Sequence, residues 1–207
     1  MYAPSYNLRD KWLSTLLPLL EGRGHWNPAT AKTAAEQAGL SEGEQALAAP
    51  NGVMDLVDHF FDRSEAQTRA RLDELALDTL RTEARLSRII ALWLDVLSPH
   101  RQAVRQAIFF GIQPGKSVAA LKRLWSVADF LWEIAGDKST DFNHYSKRTL
   151  LSSVLIRIVG HWLKTPVNID LQDYIERHLR RTALFGKNAS ELIQSVFNTV
   201  PKRPKKN

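Results

Sequence analysis

The chain has 207 residues, enough for one domain of ordinary size, and its 44% apolar and 24% charged residues are typical of a soluble globular protein. It has no cysteine, which excludes disulfides, thiolate metal sites and a cysteine nucleophile. The net charge of +6 is concentrated toward the C-terminal end, since residues 170–207 carry eight basic and four acidic side chains. Residues 1–50 carry four basic and five acidic side chains.

The first ten residues show neither the apolar centre of a secretory signal nor the arginine-rich, acid-free character of a mitochondrial presequence. No apolar run approaches the roughly 20 residues that a membrane-spanning helix needs. We therefore expect a cytoplasmic protein of a bacterium, and any association with the inner membrane would be peripheral. A mitochondrial matrix location would fit only if a presequence had been removed.

Apolar residues recur with a period near 3.6 and nowhere alternate with a period of two, which predicts an all-α fold of nine to ten helices. The first three helices, near residues 7–20, 28–39 and 41–49, are short and separated by tight turns. Gly22 and Gly24 end the first, and Asn27 caps the second, which opens on Pro28. This spacing predicts a helix-turn-helix head over residues 1–50.

Longer helices are predicted over residues 52–77, 83–97, 99–111, 116–134, 142–163 and 171–185, and together they form a larger helical body over residues 51–186. A last helix, 189–200, begins at Asn188 with Glu191 three residues on, as in a capping box. We assign residues 187–207 to this amphipathic helix and a basic tail.

Motifs for catalysis are absent from the sequence. None of the ten glutamates is followed three residues later by histidine, the ligand pair of helical di-iron enzymes, and only Asp141 and His144 come close to that spacing. Phosphate-binding glycine loops and the nucleophile elbow are missing as well. We predict no metal, no cofactor and no enzymatic activity.

A helix-turn-helix head on a helical body is the architecture of TetR regulators. One hypothesis for the function is therefore a ligand-responsive TetR-family transcriptional regulator. Major-groove readers need Lys, Arg, Asn or Gln on the recognition helix, and phosphate neutralisation dominates their affinity. The segment 41–50 instead carries Glu42 and Glu44 and no basic residue. We therefore predict no nucleic-acid partner, and a head that serves to pack the body.

The segment from Trp132 to Leu150 resembles the signature of the family of the ninth coenzyme Q biosynthesis protein (COQ nine), of the form W…AGD.STD.N.Y..R..L. The matching residues are Trp132, Ala135, Gly136, Asp137, Ser139, Thr140, Asp141, Asn143, Tyr145, Arg148 and Leu150. A weaker block is similar at residues 55–60, and the likeness covers roughly residues 7–185.

This resemblance implies a TetR-like fold, a homodimer, and an isoprenoid quinone or phospholipid ligand in an apolar cavity of the body. It also implies assistance to the di-iron demethoxyubiquinone hydroxylase at a membrane surface, with the signature as the enzyme-docking patch. The docking residues so assigned are Trp132, Asp137, Thr140, Asp141, Asn143, Tyr145 and Arg148.

Helix capping and core packing explain part of that signature in a simpler way, because Gly136 would end one helix and Thr140 or Asp141 would cap the next. They leave Asp137, Asn143, Tyr145 and Arg148 unexplained. We expect these four polar groups on one turn and on the first exposed helical face, where a partner could contact them.

Bulky apolar side chains on the body helices could wall a lipid cavity, although a solid core would use the same residues. The candidates for lipid binding are Trp93, Phe109, Phe110, Leu124, Leu131 and Ile134. In the last helix one apolar face, next to a basic tail, predicts a reversible membrane anchor. Its members are Leu192, Ile193, Val196, Phe197 and Val200. The alternative for this helix is docking on its own body or on a dimer mate.

Taken together, the sequence predicts a non-catalytic lipid-binding accessory protein of ubiquinone biosynthesis, which binds polyprenyl quinone precursors and presents them to the hydroxylase. The transcriptional regulator and a plain helical scaffold with a filled core are the two alternatives.

Overall fold

The computed structural model describes residues 4–139, 142–165 and 171–182. In these ranges the chain forms helices and turns and no strand, which confirms the all-α prediction. The helices are α1 (Pro4–Glu21), α2 (Pro28–Gln37), α3 (Glu42–Ala48), α4 (Val53–Ala70), α5 (Thr82–Leu97), α6 (Arg101–Gly111), α7 (Ser117–Ile134) and α8 (Phe142–Lys164). Residues 171–182 are helical as well. The predicted helix at 189–200, with Leu192, Ile193, Val196, Phe197 and Val200, lies outside the described residues.

Capping and a tight turn define where the short helices of the head begin and end. The Asn27 side chain accepts a hydrogen bond from the Thr30 backbone N–H at 2.8 Å, as predicted. Ser41 and Glu44 form a reciprocal capping box at the start of α3, which the sequence analysis did not use. Gly24 is required between α1 and α2, because a Cβ there would lie 2.7 Å from the Leu19 carbonyl oxygen.

Two predicted helix limits are wrong. The helix expected over 52–77 ends at Ala70 and is followed by a 3-10 turn, Leu72–Glu74. Arg71 stabilises this turn, since its guanidinium pairs with Glu74 and with Asp95 of α5, both at 2.9 Å. Pro99 lies in a second 3-10 turn, so that α6 begins only at Arg101.

The head shares one hydrophobic core with the body. The Trp26 indole N–H donates to the Ala103 carbonyl of α6 at 2.9 Å, and the Gln106 amide donates to the Leu20 carbonyl at 3.1 Å. His59 of α4 is buried against Asp10 of α1 at 2.9 Å, and burial lowers the pKa of this imidazole. These contacts fix α4 and α6 against the head, and both helices carry one wall of the groove described below.

Among the helices described, none combines the length and the apolar character needed to cross a bilayer.

Candidate functional site

An apolar groove of about 710 Å³ opens between α4, α6, α7 and α8, with Trp93 of α5 also in its wall. Its volume falls within the range of roughly 300–1,000 Å³ that small-molecule sites occupy. The buried residues of the lining are Val57, Trp93, Val104, Ala107, Phe110, Gly111, Val127, Leu155 and Leu163. Such walls suit a long apolar molecule, because they can remove its surface from water without leaving polar groups unpaired.

Four of the six predicted lipid-binding residues line this groove: Trp93, Phe109, Phe110 and Leu124. The placement of Leu131 and Ile134 is wrong, since neither lines it. Val127 is the last residue of α7 at the groove. Leu131, one turn further on, is fully buried in the core, and Ile134 packs half-buried against it.

The wall that α8 provides was not among the residues predicted from the sequence. Leu155, Ile156, Val159, Gly160 and Leu163 all line the groove. They follow one another at i, i+1, i+4, i+5 and i+8, a helical stripe that the sequence displays. The stripe alone does not distinguish a groove from a filled core.

One wall of the groove carries a charged cluster. The Arg123 guanidinium of α7 donates to Asp58 at 2.9 Å and to Asp62 at 2.6 Å, and its Nη1 lies 3.7 Å from Oε1 of Glu65. The three carboxylates follow the same face of α4, and Arg123 and Asp58 line the groove. The cluster therefore places hydrogen-bonding groups beside an otherwise apolar space.

Glu65 is the buried member of this cluster. Its Oε1 has no hydrogen-bond partner among the described residues. Burial raises the pKa of this carboxyl from 4.5 to about 7, against the opposing attraction of Arg123. Because the folded pKa lies above the unfolded one, the folded state binds the proton more tightly. The contribution of Glu65 to stability is therefore greatest below pH 4.5 and is lost as the pH rises toward about 7.

We expect the Glu65→Gln variant to remove this pH dependence. At a pH above 7 its free energy of unfolding should exceed that of the wild type by on the order of 2 kcal/mol, with little difference near pH 5. Urea unfolding followed by circular dichroism over this pH range measures it. Glu133→Gln is a matched control, because Glu133 is exposed and pairs with Arg69. A Glu65→Gln difference that stays constant with pH would contradict the assignment.

The signature segment begins with a tight helix end. Gly136 adopts a positive φ of 86°, and the backbone N–H groups of Gly136 and Asp137 donate to the carbonyls of Glu133 and Trp132 at 2.9 and 3.0 Å. This pair of bonds is a Schellman motif, which needs a residue free to adopt the left-handed region. It turns the chain so that the Asp137 side chain points back toward α8.

Asp137 and Arg148 form a buried ion pair behind this turn. Asp137 accepts from Arg148 Nη1 at 3.0 Å, and from Lys147 Nζ and Ser139 Oγ, both at 2.6 Å. Burial opposes the charge on Asp137, but the hydrogen bonds from Lys147, Ser139 and Arg148 lower its pKa to about 2. Arg148 also donates to Asp129 of α7 at 2.5 Å. The network ties α8 to the end of α7.

The expectation that Asp137 and Arg148 lie on an exposed face is wrong, because their side chains are only 5% and 4% exposed. Their ion pair is part of the folded structure. Trp132 is half-buried, and its indole N–H donates to the Lys147 carbonyl at 3.2 Å. Tyr145, in contrast, is 63% exposed, with its ring 6.2 Å from that of Trp125. Thr140, Asp141 and the Asn143 side chain lie outside what the structure describes. Direct contact with a partner through this segment remains a prediction, and Tyr145 is the residue placed to make it.

Within the described ranges, no group of three or more histidine and acidic side chains is arranged to hold a metal ion.

Comparison with known proteins finds similarity to one family and to one fold. The COQ9 family model matches residues 117–186, which include α7, the signature and α8. The chain is 26% identical to the human ubiquinone biosynthesis protein COQ9, mitochondrial, over 160 residues, which is 74% of this chain and 50% of the human protein. The rat and bovine proteins of the same name are 24% and 26% identical over 160 residues. The chain therefore spans about half the length of the curated relatives that it matches.

Among solved structures, a TetR transcriptional regulator from Nitrosomonas europaea superposes with a TM-score of 0.66, covering 86% of this chain and 99% of that one at 18% identity. At that identity the likeness shows the fold alone. The resemblance to the COQ9 family and the TetR-like fold, both predicted from the sequence, are thus confirmed.

Proposed function

We propose that this COQ9-like chain is a non-catalytic accessory protein of ubiquinone biosynthesis, which holds a polyprenyl quinone precursor in the groove and presents it to the di-iron demethoxyubiquinone hydroxylase at a membrane. The observation that carries the proposal is the groove itself, an open apolar space of about 710 Å³ between helices of the body. The similarity to curated proteins named for ubiquinone biosynthesis supports the choice of ligand class.

The groove offers different environments to the two ends of such a ligand. Prenyl units would contact the walls made by Trp93, Phe110 and Leu155, and burying apolar surface contributes roughly 25 cal/mol per Å². The ring oxygens are hydrogen-bond acceptors, and the Arg123 guanidinium on the groove wall is a donor that could orient them. Arg123 keeps its own ion pairs in that role, so no unpaired charge is created.

The groove and the signature lie on the same two helices. On α7 the groove residues come first and end at Val127, and the signature begins after them at Trp132. On α8 the signature comes first, and the groove residues begin after it at Leu155. From Arg148 to Gly160 the rise along α8 is about 18 Å. We propose that a hydroxylase contacting Tyr145 at one end of this pair receives the ligand from the other end.

Fluorescence titration with decylubiquinone, a short-tailed quinone, tests ligand binding. Trp93 is buried in the groove wall, so a bound quinone should quench its emission. We expect saturable quenching, with at least tenfold weaker binding of the same ring without a tail, because the tail supplies the apolar contact. Linear, non-saturating quenching that is equal for both compounds would contradict the proposal.

The face that α3 presents does not favour the alternative of a DNA-binding regulator. Its exposed residues are Glu42, Gly43, Ala46 and Leu47, and none is basic. Glu44 is engaged in the capping box.

A further inference from the structure

The mouth of the groove is bordered by large apolar side chains that face solvent. Five lining residues are strongly exposed: Ile108 (43%), Phe109 (61%), Ile112 (67%), Leu121 (63%) and Ile156 (61%). Three of them lie at the C-terminal end of α6 or directly after it, and one each lies on α7 and α8. Exposed apolar residues that cluster at one opening mark a contact surface, whereas scattered ones need no explanation.

Basic side chains accompany this apolar border. Arg105 and Lys164 line the groove and are exposed, and Lys116 Nζ lies 3.5 Å from the centre of the Phe110 ring. None of the three forms an ion pair with a described residue. No acidic residue occurs between Asp95 and Asp129 in the sequence, and Asp58, the acidic lining residue, is paired with Arg123. The mouth therefore combines an apolar border with unneutralised positive charge.

We propose that the mouth of the groove is a membrane-contact surface, on which Phe109, Ile112 and their neighbours enter the headgroup layer of an anionic phospholipid bilayer while Arg105, Lys116 and Lys164 face its phosphates. Apolar side chains beside cations are the combination that binds such interfaces. This inference rests on the proposed function in one respect: a lipid would then pass between bilayer and groove without crossing water.

The charge of the mouth favours a bilayer over a second copy of the chain. A two-fold interface brings the same patch of both subunits together. At this mouth it would set Arg105, Lys116 and Lys164 of one copy against those of the other, and the acidic lining residue, Asp58, is already paired with Arg123. An anionic lipid surface complements the same charges.

Co-sedimentation of the full chain with vesicles tests the proposal. Binding to vesicles of phosphatidylcholine and phosphatidylglycerol should exceed binding to phosphatidylcholine alone and fall with salt. Phe109→Ser/Ile112→Ser should weaken binding at least tenfold, and Lys164→Glu several-fold. The matched controls are Leu47→Ser and Lys32→Glu, an exposed apolar and an exposed basic residue of the head, which should bind as the wild type does.

Wild-type vesicle binding by Phe109→Ser/Ile112→Ser would overturn the proposal. So would loss of a dimer in that variant without vesicles, measured by light scattering, because the mouth would then be an interface between copies. The variant Ile193→Ser/Phe197→Ser measures the contribution of the predicted C-terminal anchor separately. Decylubiquinone quenching of the wild type without vesicles distinguishes the two proposals, because its absence would reject the ligand but not the membrane surface.

Discussion

Replacing Gly160 with phenylalanine is expected to abolish quinone binding while the protein stays folded. Gly160 lies within α8 and lines the groove, and a Cβ built there meets no heavy atom within 4 Å. An aromatic side chain would therefore extend into open space and occupy the volume that the ligand needs. A mid-helix glycine is also roughly 0.5–1 kcal/mol less favourable than alanine, so replacing it should not weaken the helix.

Decylubiquinone titration of Gly160→Phe should show affinity reduced by at least a factor of about 30, or more than about 2 kcal/mol. Gly160→Ala is the matched control, since one methyl group leaves the groove open. It should bind within about twofold of the wild type and unfold at a free energy up to about 1 kcal/mol higher. Unchanged affinity in Gly160→Phe, with circular dichroism showing a folded protein, would mean that the ligand binds elsewhere.

Apolar periodicity predicted the helices that build the groove, but not the groove itself. Phe110 and Leu131 both lie on apolar helical faces, yet one lines the open space and the other is sealed in the core. The difference depends on where along α7 the groove ends, which is at Val127, one turn before Leu131. Long-range contacts such as the one from Trp26 to the Ala103 carbonyl help to position α6 at the groove, and they join residues far apart in the chain.

In the signature, two residues that were predicted to be exposed are buried. Charged residues on a turn and at a helix start are usually exposed, so Asp137 and Arg148 were expected to face a partner. Only the Schellman turn at Gly136, which reverses the chain, brings the two side chains within 3.0 Å of each other. A pairing made by that geometry cannot be derived from sequence spacing alone. The signature thus divides into a buried pair that holds the turn and the exposed Tyr145.

Breaking the buried pair should destabilise the protein strongly. In Arg148→Met the Asp137 carboxylate would stay buried with Lys147 and Ser139 as its remaining partners, and removing one member of such a pair typically costs about 3 kcal/mol or more. Urea unfolding should show this loss. Asp137→Asn/Arg148→Met should recover part of it, because no buried charge is then left without a partner. Lys147, which also pairs with Asp137, is 39% exposed and can stay hydrated.

Tyr145→Ala is the matched comparison, since an exposed side chain at the same helix start should change stability by no more than about 0.5 kcal/mol. We expect it instead to weaken capture of the demethoxyubiquinone hydroxylase in a pull-down while decylubiquinone binding persists. If the urea concentration at the midpoint of unfolding is the same for Arg148→Met and for the wild type, the Asp137–Arg148 pair does not stabilise the turn. If Tyr145→Ala captures the enzyme as the wild type does, the docking surface lies elsewhere. The two measurements separate the structural half of the signature from the half that is free to recognise a partner.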